Sequence, residues 1–211
     1  MAINFRSLIP YGIMTTCILS RVLPHPGNFT ATNATMVYGN SVCKPWFNIL
    51  FPIIVFFISD CINHLFRSYL PIFGMFCLYT YPTYILISLI TKFVTNNEKQ
   101  VSYLKTISLL LSSSVIFFLT TNFGVWCLGY DNRSLIQVYI DGLPFFGREI
   151  LATLAFGFLY FAIHLQFVQK PQNQEEEKNY NSIQDSNESQ VGDINSTERM
   201  KDPLTSESNK V

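Results

Sequence analysis

The chain has 211 residues, of which 49% are hydrophobic and 13% charged, with 14 basic and 14 acidic side chains in balance. A soluble domain carries roughly 25% charged residues, so this composition excludes an ordinary water-soluble globule and points to lipid as the solvent. The zero net charge hides an asymmetry: residues 1–169 hold nine Lys/Arg against five Asp/Glu, and residues 170–211 hold five against nine.

A helix needs about 20 mostly apolar residues to cross about 30 Å of hydrocarbon. On that measure the sequence predicts six helices, beginning with residues 7–23. Arg6 before this run resembles the start of a signal peptide. No small-x-small cleavage site follows and Arg21 interrupts the segment, so an uncleaved anchor is expected. Pro24 and Pro26 end it. The second helix, residues 29–41, is short and carries Thr30, Thr32, Asn33, Thr35 and Asn40, so it either crosses or re-enters the bundle. The third covers residues 46–66 and the fourth residues 69–94, with Pro71 in its first turn and Pro82 as a midway kink. The fifth covers residues 103–128, and the sixth residues 143–168, with Pro144 at its start. Residues 129–141 read as a polar connection. From Lys170 the chain turns to Gln, Asn, Glu and Ser and cannot bury enough surface to fold, so a disordered tail is expected over residues 170–211.

The fold class expected is therefore all-α: a polytopic transmembrane bundle of about six helices over residues 1–169, with a polar acidic tail. Six spans put Arg6, Lys44, Lys92, Lys99, Lys105 and Lys170 on one side, against Arg21, Arg67, Arg133 and Arg148 on the other. That bias favours a plasma (inner) membrane protein with both termini in the cytoplasm. The five cysteines form no C-x-x-C pair, and all but Cys43 lie in apolar runs, which reads as buried free thiols rather than a zinc or redox site. No metal or cofactor is expected, and no nucleic-acid partner.

Polar side chains inside an apolar bundle are costly, so they face its interior or a cavity. Four groups stand out. Arg21, His25 and Asn28 sit on the proline-rich turn after the first helix. Asp60, Asn63, His64 and Arg67 follow the i, i+3, i+4, i+7 spacing of one helix face, where Asp60 meets either His64 or, across the bundle, Arg21. Asn122 and Trp126 lie near the end of the fifth helix, with Gly124 permitting close approach; the Trp126 ring stacks on a ligand or joins the interfacial aromatic belt. Tyr139 and Asp141 precede the sixth helix, and Arg148 and Glu149 at its start read as surface charges. If the second helix crosses, all four groups fall at one membrane face, the non-cytoplasmic one; if it is re-entrant, they separate. Together with Phe29, Tyr69, Phe123, Tyr130, Phe145 and Phe146 they would line an outward-opening pocket.

The R-x-x-P-H-P-x-N-F-T start (residues 21–30), the Ser59-Asp60 pair, T-N-F-x-x-W (residues 121–126) and Y-x-x-x-L-P-F-F (residues 139–146) resemble an uncharacterised bacterial membrane family described as transport proteins. That family is in turn similar, in size, helix number and layout, to the substrate-binding S components of energy-coupling factor transporters. Those bind a vitamin near the outer face and work with a separate membrane subunit and two ATPases. Val138 stands where the family usually has Cys, and Thr153 where it usually has Asp. The small residues that S components present to their partner are weakly matched here by Gly12 and Thr16.

The function expected is a transporter, or a transporter's substrate-binding subunit, for a small solute. Arg21, His25, Asn28, Asp60, His64, Asn122, Trp126 and Tyr139 would line the site, and the lipid bilayer, the solute and a coupling subunit with ATPases would be the partners. The alternatives are a stand-alone carrier using Asp60 and His64 as a titrating pair, or a scaffold in which the polar groups only join helices. No H-E-x-x-H, no G-x-S-x-G and no paired carboxylates are present, which argues against an enzyme. There is also no Walker motif, so an ATP-driven step would come from a partner.

Overall fold

The computed structural model describes residues 5–42, 50–66, 74–95, 102–129, 132–169, 174 and 177–184. It divides into two units, Met1–His164 and Leu165–Val211. The first holds six α-helices among the described residues: α1 (Phe5–Val22), α2 (Thr32–Val42), α3 (Leu50–Phe66), α4 (Cys77–Thr95), α5 (Tyr103–Leu128) and α6 (Leu135–His164). In the second, Leu165–Gln169 is a π-helical turn and residues 177–184 are an exposed helix, while the rest of the predicted tail lies outside the described residues. No strand occurs among the described residues.

Among the described residues, three helical stretches are long and apolar enough to cross a membrane: Cys77–Thr95, Tyr103–Leu128 and Leu135–Gln169. The apolar parts of α1 and α3, Leu8–Val22 and Ile53–Phe66, are shorter. The predicted start of the third helix at Trp46 lies outside the described residues, as do Cys43, Tyr69, Pro71 and Tyr130.

Polarity is distributed as lipid demands. In α4 the buried residues are Thr80, Thr83, Tyr84, Ile87, Ser88, Thr91 and Thr95, while Leu78, Ile85, Leu86, Leu89 and Phe93 point outward. In α5, Thr106, Ser113, Ser114 and Thr121 face in, and Leu104, Leu111, Val115, Leu119 and Phe123 face out. A protein folded in water shows the reverse. Several inward hydroxyls return to the carbonyl one turn back: Thr83 to Tyr79, Thr95 to Thr91, Ser113 to Leu110 and Thr121 to Phe117.

The centre of the bundle is α2, which packs against all five other helices. Every residue from Thr32 to Asn40 is buried. With 11 residues it extends about 16 Å, half the apolar thickness of a bilayer. Its polar groups are largely satisfied locally, Thr35 on the Ala31 carbonyl and Asn40 on the Met36 carbonyl. Although too short to span, α2 still reverses the chain. Ala31 meets Ser20 at the end of α1. Asn33 then meets Glu149, and Tyr38 packs on Tyr160 and His164, so α2 runs parallel to α6. Asp60 meets Tyr81 and Phe56 meets Tyr84, so α3 and α4 are antiparallel, and Thr83 with Thr120 relates α4 and α5 likewise. The ends of the odd-numbered helices and the starts of the even-numbered ones therefore share one end of the bundle.

Two predicted features are corrected. α6 begins at Leu135, so the supposed connection is its first turns and Pro144 lies inside it. Among the described cysteines, Cys17 is buried, Cys61 and Cys77 are half-buried and Cys127 is exposed.

Candidate functional site

Arg21 lies on the last turn of α1, and its position is set by α3. Its Nε donates to Ser59 Oγ at 2.6 Å, a terminal nitrogen pairs with Asp60, and the guanidinium lies 3.8 Å from the centre of the Phe56 ring. Tyr81 of α4 donates its hydroxyl to the other Asp60 oxygen at 3.0 Å, and Asn63 Nδ2 donates to the Arg21 carbonyl at 3.2 Å. The pair is mostly enclosed, with side-chain exposures of 16% and 17%. A charge pair in such surroundings needs further partners; Ser59 accepts from Nε, Tyr81 donates to the second carboxylate oxygen and the Phe56 face covers the guanidinium.

The turn after α1 carries the next groups. Phe29 N–H donates to the Pro26 carbonyl at 3.0 Å, and Asn28 takes φ 64°, a left-handed conformation that Asn adopts more readily than most residues. His25 Nδ1–H donates to the Pro26 carbonyl at 2.8 Å.

These elements enclose a cavity of about 200 Å³, lined by Arg21, His25, Asn28, Thr30, Asn63, Tyr84, Phe117 and Glu149. The Tyr84 and Phe117 rings stack at 5.3 Å. A second cavity of about 370 Å³ shares Asn28 and is lined further by Phe76, Thr121, Asn122, Arg133, Asp141 and Phe145. Arg133 pairs with Asp141 at 2.8 Å at its rim.

The predicted site residues thus separate into three sets. Arg21, His25 and Asn28 border the first cavity, and Asp60 anchors Arg21 from behind. Asn122 borders the second; its Oδ1 would lie 2.5 Å from a Cβ at position 142, a close approach that Gly142 allows. His64, Trp126 and Tyr139 line neither. His64 is half-buried, one turn beyond Asp60. Trp126 is 42% exposed and rests on Phe123, and Tyr139 donates to the Leu119 carbonyl, joining α6 to α5.

Residues 1–174 match a family of unknown function, DUF6580. The chain belongs to that family. No curated protein and no solved structure matches it. The matched span contains both cavities of this DUF6580 member.

Glu149 was expected as a surface charge. It is 4% exposed and borders the first cavity, because α6 starts earlier than predicted and carries it four turns deep. The overlooked signal is Ser134-Leu-Ile-Gln137, an S-x-x-Q helix start; the Gln137 N–H donates to Ser134 Oγ at 3.3 Å. Asn33, fully buried on α2, donates to Glu149 Oε1 at 2.6 Å. Among the described residues, no group of three or more His, Cys, Asp or Glu is placed to hold a metal ion.

Proposed function

We propose that this DUF6580 member is an integral membrane protein that binds a small solute in the cavity beneath the turn after α1 and serves in its transport. The observation carrying this reading is that Arg21, His25, Asn28, Asn63 and Glu149, from three helices and a turn, surround one hollow with a stacked aromatic pair. Apolar outer faces with polar interiors support the membrane assignment. The Lys/Arg bias read in the sequence, six residues against four, supports a cavity that opens away from the cytoplasm. The likeness in size and layout to S components supports a division of labour, with this chain holding the solute while a separate membrane subunit and its ATPases drive release.

The test is mass spectrometry of small molecules extracted from the detergent-purified protein, compared with Asn28→Gly. Glycine keeps the left-handed turn that Asn28 adopts and removes only the amide that faces both cavities. A small molecule recovered from the parent protein and depleted at least tenfold in the folded variant supports the reading. Equal recovery from both places the solute elsewhere and refutes it, as does recovery from neither when no added probe binds the protein.

A further inference from the structure

Four observations identify the chemistry that the first cavity lacks. Glu149 is 4% exposed, accepts from Asn33 and forms no ion pair among the described residues. The nearby cation does not serve it: Arg21 is bound by Asp60 and Ser59. Arg148, next to Glu149 in sequence, lies over the Phe145 ring at 4.7 Å instead. The Asn63 carboxamide oxygen is buried with no donor, and the His25 ring lines the same cavity with Nδ1 bonded to the Pro26 carbonyl. With Arg21 paired to Asp60, the lining carries one carboxyl group that has no ion pair among the described residues.

We infer that the cavity receives the protonated amine of a small organic ligand, with Glu149 as its counter-charge. This rests on the reading of the cavity as a solute site. An ammonium donates three hydrogen bonds and accepts none, which suits a lining that holds the Glu149 carboxyl group and the side-chain oxygens of Asn28, Thr30 and Asn63. The stacked Tyr84 and Phe117 rings supply the aromatic faces that attract a cation in a water-poor site. A carboxylate ligand would meet the Glu149 carboxyl group, and the one cation in the lining, Arg21, is already paired with Asp60. The inference therefore assigns Arg21 an architectural part.

The experiment uses the purified full chain in lipid nanodiscs and follows its thermal midpoint with three classes of probe. These are benzylamine, phenethylamine, histamine, ethanolamine and choline as cations, benzyl alcohol as a neutral match, and benzoate and phenylacetate as anions. The parent protein is compared with Glu149→Gln, whose amide oxygen still accepts from Asn33, and with Asn28→Gly. Stabilisation by one or more cations, weakened at least tenfold in apparent affinity by Glu149→Gln, supports the inference. Stabilisation by an anion, or by benzyl alcohol as strongly as by benzylamine, overturns it. If Asn28→Gly removes that anionic or neutral binding, the solute site itself still stands. Silence from every class, together with no copurifying molecule, overturns both.

Discussion

The Arg21–Asp60 pair allows the reasoning to be tested by energy. Removing one member of a buried pair typically costs about 3–5 kcal/mol, because the other is left charged and unpaired. Here both side chains keep about a sixth of their surface, so water partly compensates and about 2–3 kcal/mol is expected from either Arg21→Met or Asp60→Leu. In Asp60→Leu the guanidinium keeps Ser59 and the Phe56 ring. In Arg21→Met the carboxylate keeps the Tyr81 hydroxyl. The double variant leaves no orphaned charge and should cost about 2 kcal/mol in all, giving a coupling of about 2–4 kcal/mol. The assay is unfolding by SDS in mixed micelles, followed by far-ultraviolet circular dichroism across the four-member cycle. Costs that add to within about 0.5 kcal/mol would show that the two groups act independently and would remove Asp60 from the architecture of the site.

Other substitutions address separate contacts. Gly124→Ala places a methyl group against the Tyr79 ring and Cβ. Those atoms cannot swing aside as a chain end can, so a loss of about 2–3 kcal/mol and a lower thermal midpoint are expected. Asn33→Leu removes the donor on Glu149 and should destabilise by about 2 kcal/mol in the same SDS titration; an unchanged midpoint would mean that Glu149 needs no partner. Trp126→Ala, at an outward position, should change stability by less than about 1 kcal/mol and leave probe binding unaltered; a tenfold loss of affinity would return Trp126 to the site.

The sequence was most readable where length and apolarity decide. The fifth helix was placed at residues 103–128, as observed, since a long apolar run has one plausible conformation in lipid. The face containing Asp60 and Asn63 was readable too, because intramembrane charge is expensive and helical spacing shows which residues lie together. The sixth helix was harder. Pro144 resembles a helix start, and trusting it over Ser134 shifted the start by eight residues, from Leu135 to Leu143. Glu149, about 21 Å along the real helix, then looked superficial. Trp126 could not be assigned a direction from sequence, because aromatic residues suit both a ligand wall and a lipid-facing position. Only the packing of α5 shows that it lies far round the helix from buried Thr121.

The burial of α2 has a consequence for biogenesis. Eleven residues that include two Asn, two Thr and a Ser gain too little by entering hydrocarbon unaided. The walls that shelter them, α4 and α6, leave the ribosome later than α2 does. On the membrane reading proposed above, this segment would wait at the headgroup surface and be drawn inward once its neighbours have gathered, and the cavity it helps to support would form at that closing step.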